Sequence, residues 1–395
     1  MTERLVRRFI PDWEKVQEPA VRERYGILSG AVGIFLNLLL SVGDILVTVF
    51  VFAGLMTGSI SITADAFNNL SDAGSSVVTL VGFKLAGQKA DDSHPFGHGR
   101  IEYLAGLLVS LLILMVGVEL GKSSIEKILR PEPVEFSLLS VVILAVSILV
   151  KLWMSQFNRK LGKRIDSAAM EATATDSLSD VVATSAVLAG TLVGGFTGVS
   201  IDGWVGVVVA VFILRAGWGA AKDTLDPLLG SAPDPVLVKQ IQELVMSHKQ
   251  VVGMHDLVIH DYGPGRRMCS FHAEVPQSDD IMEAHDAIDH IEREIKEKFG
   301  IETTVHMDPI ATADEKVNQL RRQVADLARV VEPEMTIHDF RVVRGPTHTN
   351  VIFDAVVPHK CRLTDEEVLQ RLRQAVSALD PTYQAVIQID RAYVE

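Results

Sequence analysis

The sequence predicts an α-helical membrane protein of six transmembrane helices, followed by a C-terminal cytoplasmic α+β domain of ferredoxin-like type that occurs twice. Three observations carry this reading. First, 48% of the 395 residues are hydrophobic and the mean hydropathy is +0.25, high for a water-soluble chain. Second, the N-terminal half contains six apolar runs long enough to cross a bilayer. Third, beyond Pro233 the apolar runs shorten, begin to alternate, and then repeat themselves.

The six runs fall at about Ala31–Met56, Ile62–Ala86, Ile101–Ile125, Phe136–Phe157, Ala168–Val193 and Gly203–Ala221. An even number of spans puts both termini on one side. The N-terminal stretch (Arg4, Arg7, Arg8, Lys15, Arg22, Arg24) and the loops Lys89–Arg100 and Arg159–Arg164 are basic, whereas the other three connections carry little positive charge. The positive-inside rule therefore places both termini in the cytoplasm of a multi-pass cell-membrane protein. No short apolar core precedes a cleavage-like site, so no signal peptide is read. The expected division is a tail at 1–30, a transmembrane domain at 31–222, an α+β domain at 235–310 and a second, degenerate copy of it at 313–395.

In the first α+β unit the pattern reads helix, strand, strand, helix, strand: Val236–His248, Gly253–His260, Arg267–Val275, Asp280–Phe299 and Glu302–Met307, predicting an antiparallel sheet. His255-Asp256-Leu257 recurs as His338-Asp339-Phe340. Phe271 to Pro276 recurs as Phe353 to Pro358, and His306-Met307-Asp308 as Gln388-Ile389-Asp390. The offset stays at 82–83 residues throughout, which indicates a duplication.

Composition excludes several function classes. A formal charge of -13 and a pI near 5.4 argue against nucleic acid as a partner. Two cysteines, Cys269 and Cys361, supply neither a disulfide framework nor a thiolate metal site.

Chemistry concentrates in the spans. Asp176 and Asp180 lie one helical turn apart in the fifth run, and Asn68 and Asp72 have the same spacing in the second, so each helix directs two oxygen ligands one way. An intramembrane acid costs roughly 2.5–3.5 kcal/mol, so the three together ask the fold to absorb roughly 8–10 kcal/mol. Such a cost marks an ion path, and hard oxygen donors suit manganese, magnesium or calcium, magnesium least because it resists dehydration. Asp44, a lone acid in the first run, reads either as a relay or gating residue or as a group facing a water-filled vestibule. The loop Asp91-Asp92-Ser93-His94-Pro95-Phe96-Gly97-His98-Gly99-Arg100 offers a carboxylate and two imidazoles at metal-ligand spacing, although a solvated loop would look the same. The first α+β unit holds seven histidines between His248 and His306. Strand alternation puts His306 and Asp308 on one face, with His255 and His272 on other strands.

These features together resemble the cation diffusion facilitator family, over roughly Tyr25 to Pro309. The segment Ala64-Asp65-Ala66-Phe67-Asn68-Asn69-Leu70-Ser71-Asp72 is similar to the family's second span, and the Asp-His-Gly loop and histidine-rich tail match as well. The resemblance implies a homodimeric secondary transporter, not an enzyme, that exports a divalent metal in exchange for protons and has no prosthetic group. By the same resemblance, Asn68, Asp72, Asp176 and Asp180 form the transport site. Asp91, His94 and His98 would form a loop site, and His255, His272, His285, His306 and Asp308 a tail site. The absence of histidine from the transport positions is similar to the manganese-exporting branch, while zinc, iron and cobalt remain compatible with the same oxygen set. A membrane-anchored metal sensor and a channel are the rival readings, and buried carboxylates in a closed ligand set speak against both.

The chain departs from the family in three respects. Gly230 stands where some relatives have an acid that pairs with the basic residue ending the loop, here Arg100, so that interlock is either absent or made by Asp226. The first span runs several residues longer than usual and contains Asp44. The second copy lies outside the family pattern. Of the tail ligands it retains only His338 and Asp390, with Asp354 and Gln388 elsewhere, so it is expected to hold no metal.

Overall fold

The computed structural model describes residues 2–16, 18–54, 60–130, 138–197, 202–310, 314–345, 347–358 and 360–391; within these, side chains are described except at 44–54, 60–68, 71, 138–140, 191, 194–197 and 202. The chain divides into two compact units, Met1–Ser231 with Asp261–Arg266, and Ala232–His260 with Arg267–Glu395.

The first unit consists of a short helix α1 (Thr2–Phe9) and six long ones: α2 (Pro19–Gly54), α3 (Ile60–Ala86), α4 (Ile101–Leu129), α5 (Leu138–Ile165), α6 (Ala168–Thr197) and α7 (Asp202–Leu229). Each long helix contains one of the six apolar runs. Among the described residues, Pro19–Gly43 of α2, α4, Val141–Ile165 of α5 and Gly203–Leu229 of α7 are long and apolar enough to cross a membrane. α3 and α6 carry the paired polar residues and a series of serines and threonines. Phe35, Leu39, Leu108, Met115, Leu149, Val208 and Trp218 all point outward, an apolar exterior that suits lipid and not water.

Small residues let these helices approach one another closely. A Cβ at Gly26 of α2 would overlap the Phe83 ring of α3, and one at Gly30 would crowd Leu80. Polar pairs fix the register of α6 against its neighbours. Thr79 and Thr173 hydroxyls meet at 2.9 Å between α3 and α6, and Ser155 of α5 donates to the Ala174 carbonyl at 2.8 Å. The N-terminal stretch is packed against the helices: Val6 and Ile10 are buried with Tyr25, Phe83, Phe157, Leu161 and Met170. Beside them Arg22 forms a buried ion pair with Glu102 at 3.1 Å and also donates to the Ile165 carbonyl.

The second unit runs α8 (Pro235–Met246), β1 (Gly253–Asp261), β2 (Arg267–Pro276), α9 (Ile281–Phe299), β3 (Ile301–Ile310), then α10 (Glu315–Val331), β4 (Thr336–Arg344), β5 (Thr349–Val357), α11 (Asp365–Leu379) and β6 (Tyr383–Arg391). Local sequence sets the helix ends. Asp234, Asp280 and Asp314 accept hydrogen bonds from first-turn N–H groups, Thr364 and Glu367 form a capping box, and Gly300 closes α9 at φ 68°.

The strands form two three-stranded sheets, β1-β2-β3 and β4-β5-β6. These are not the purely antiparallel sheets expected from sequence, because β2 pairs with β3, and β5 with β6, in parallel, while β4 and β5 are antiparallel. The cause is α9 and α11, which act as crossovers and return the chain to run in the same direction. Among the described residues, each sheet also has one strand fewer than the ferredoxin-like plan. Phe271, Ile291 and Ile295 anchor the first core, and Phe353, Leu372 and Val376 the second. A largely buried carboxylate, Glu274 of β2, pairs with Arg321 of α10 at 3.1 Å and joins the two cores. Cys269 and Cys361 are both free.

Candidate metal sites

α3, α5 and α6 bring one cluster of ionisable groups into the helix bundle. Asp72 of α3 and Asp180 of α6 are 8% and 7% exposed. Between them sits the ammonium of Lys151 from α5, itself buried, 2.8 Å from Asp180 Oδ2 and hydrogen-bonded to Asp72 Oδ2. Asp176, one turn before Asp180, accepts a hydrogen bond of 2.8 Å from Ser75 Oγ. Two of the expected ligands therefore face one another directly, and the third is turned toward α3. Among the described residues, the groups whose ligand atoms all lie within 4.8 Å do not include these three acids, as the lysine stands where their oxygens would converge. The side chains of Asn68 and Asp44 lie outside the described residues. Sequence reading passed over Lys151, although a lone cation inside an apolar run is itself a signal of function.

The loop residues Asp91, His94 and His98 come together as expected, with ligand atoms within 4.8 Å. His94 Nδ1 is 3.3 Å from Asp91 Oδ1 and His98 Nε2 is 3.4 Å from Oδ2. The N–H of His94, with that of Ser93, holds the exposed Asp91 carboxyl below the usual carboxylate range. Arg100, which ends this loop, donates to the backbone carbonyl of Asp261 at 2.7–3.0 Å and lies over the Tyr262 ring. Its partners are thus the end of β1 and the residue that follows it, and not Asp226. Tyr103 reaches the Asp261 carboxylate at 3.3 Å, and Phe96 stacks on Tyr262.

In the first sheet, register pairs His272 with His306 and Glu274 with Asp308 across β2 and β3. His255, His272 and Asp308 converge, with His272 Nδ1 2.8 Å and His255 Nε2 3.3 Å from Asp308 Oδ2; His306 joins through Asp308 Oδ1 at 3.3 Å. Burial opposes protonation of His255, but Asp256, hydrogen-bonded at 3.3 Å, together with Glu274 and Asp308, pushes it above the usual imidazole range. His285 is in none of these groups: it lies on the exposed face of α9.

The second sheet brings its own donors together. His338, Asp354 and Asp390 also converge within 4.8 Å, and His255, Asp256 and His338 form a further group between the two sheets. The His255 and His338 rings stack with centroids 4.1 Å apart. Asp354 stands at the position of His272 and offers a carboxylate in place of an imidazole. Burial, then Asp390, Asp339 and Asp256, push the Asp354 carboxyl up to about 6.

A helical membrane unit with buried facing carboxylates, joined to a tail unit with clustered imidazoles and carboxylates, describes a membrane protein built to handle cations. Residues 34–229 match the cation efflux transmembrane domain, and residues 233–310 the cation efflux protein cytoplasmic domain. The chain is 31% identical over 269 residues to the uncharacterized transporter MJ0449 of Methanocaldococcus jannaschii, covering 68% of this chain and 95% of that one. It is 30% identical over 274 residues to the cation-efflux pump FieF of Escherichia fergusonii, and over 280 residues to FieF of Escherichia coli, each covering 68% of this chain and 90% of the relative. The chain belongs to the cation efflux family, also called cation diffusion facilitators. It is a membrane transporter of divalent metal cations and not an enzyme.

Proposed function

We propose that this protein exports a divalent metal, manganese foremost, in exchange for protons by alternating access between six spans. In this reading it acts as a homodimer in the cell membrane with both termini in the cytoplasm, and its second α+β unit arose by duplication. Asn68, Asp72, Asp176 and Asp180 are the transport site. The loop group and the histidine-rich tail group take up cytoplasmic metal.

The observation that carries this reading is the buried Asp72–Lys151–Asp180 arrangement. A lone buried carboxylate pair is unfavourable, and a cation between them compensates. With three carboxylates and one ammonium, the site has two negative charges to spare when fully deprotonated. A dication brings the total to zero, as do two protons. Metal and protons therefore compete for the same oxygens, which is the requirement for exchange. An anchored sensor would have no use for such a group within its spans. Hard donors and the absence of imidazole at these four positions favour manganese over zinc.

Purified protein in vesicles, assayed for manganese and zinc uptake with and without an imposed pH gradient, tests this. Manganese uptake driven by the gradient is expected; uptake indifferent to the gradient would refute proton exchange.

A further inference from the structure

The second sheet contains a group of donors that the transport reading does not use. His338 of β4 is 5% exposed, and neither of its ring nitrogens has a hydrogen-bond partner. Three carboxylates face it: Asp256 at 3.5 Å and Asp390 at 3.6 Å from Nε2, and Asp354 at 4.0 Å from Nδ1. Donor atoms sharing an ion, with bonds of about 2.1 Å, stand about 3.0–3.4 Å apart. His338 Nε2 and Asp390 stand a little wider than that at 3.6 Å, and the ligand atoms of His338, Asp354 and Asp390 all lie within 4.8 Å of one another. Among the described residues no lysine or arginine forms an ion pair with Asp256, Asp354 or Asp390. Asp256 also pairs with His255, so three carboxylates face at most two protonated imidazoles.

The placement is not accidental to the fold. β4 pairs His338 with Asp354, and β5 pairs Asp354 with Gln388 two residues before Asp390, so the sheet register itself brings these side chains together. His338, Asp354 and Asp390 occupy the positions that His255, His272 and Asp308 occupy in the first sheet, at the 82–83-residue offset. One imidazole has been exchanged for a carboxylate, which makes the donor set harder. Asp256 adjoins both groups, 3.3 Å from His255 and 3.5 Å from His338. Asp256 holds φ 53°, an uncommon value for a non-glycine residue, and Asp339 has the matching φ 52°.

We propose that the second copy builds a divalent-metal centre of its own from His338, Asp354 and Asp390, harder in character than the neighbouring His255–His272–Asp308 group. It accepts manganese where the neighbouring group favours zinc. The proposal stands apart from the transport site and does not depend on it.

The test counts metal on the full-length protein in detergent, stripped with chelator and carrying Asp180→Asn to disable the transport site. Manganese and zinc bound per chain are measured by equilibrium dialysis with elemental analysis. Asp354→Asn, nearly isosteric, is expected to lose one equivalent of manganese per chain. Asp354→His recreates the donor set of the first sheet, so it should retain the equivalent while its zinc-to-manganese affinity ratio rises about tenfold or more. Far-UV circular dichroism and thermal melting of both variants must match the unsubstituted protein, which keeps unfolding from mimicking either result. An unchanged manganese count in Asp354→Asn, or an unchanged ratio in Asp354→His, would overturn the proposal.

Discussion

The ammonium of Lys151 lies 2.8 Å from Asp180 Oδ2, deep in the helix bundle and also bonded to Asp72. This contact joins α5 to α3 and α6, and under the proposed function it neutralises part of the charge of the transport-site oxygens when no metal is bound. It gives the site a defined resting charge.

Lys151→Met should therefore destabilise the metal-free protein, because it leaves two buried carboxylates facing one another. Removing one partner of a buried ion pair costs about 3–5 kcal/mol. The melting temperature in chelator is expected to fall, and manganese should restore more of it than it adds to the unsubstituted protein. Equal manganese-induced shifts in both proteins would argue against a shared position for lysine and metal.

Asn68→His should move preference toward zinc, since an imidazole replaces a hard carbonyl donor with a borderline one. The zinc-to-manganese transport ratio is expected to rise by about an order of magnitude. A constant ratio would place selectivity elsewhere on the permeation path.

Gly263→Ala tests the turn after β1. Gly263 has φ +111°, and a Cβ there would run into the backbone of Gly99 and Arg100. The strain costs about 1–3 kcal/mol, so the loop carrying Asp91, His94 and His98 should become more sensitive to protease, with little change in overall folding. Unaltered cleavage at that loop would mean that the turn does not hold it.

Much of this molecule could be read from the sequence. The helical spans followed from length and hydropathy, and the spacing of Asp176 and Asp180 placed both on one face of α6. The recurrence of His255-Asp256 as His338-Asp339 anticipated two units with the same order of strands and helices. What escaped the sequence depended on neighbours distant in the chain. Lys151 lies in an apolar run, where a single cation could equally reach toward the bilayer surface, and only the packing of α5 between α3 and α6 turns it inward. The parallel pairing of β2 with β3 required tracing the path of α9 and not only noting its presence. His285 matched a family position by order along the chain, yet helical phase turns it to the exposed side of α9. Asp256 comes close to His338 through the approach of two sheets, which no local pattern records.

The central claim is that metal and protons exchange at Asp72, Asp176 and Asp180. The most direct measurement is proton release into the vesicle lumen or medium, followed with a pH-sensitive dye, when manganese is added to one side of vesicles containing the protein. The unsubstituted protein should move protons against manganese, and Asp180→Asn and Asp72→Asn should reduce that flux to the level of empty vesicles while still folding as dimers. Manganese-driven proton movement at the unsubstituted rate in either variant would contradict the account.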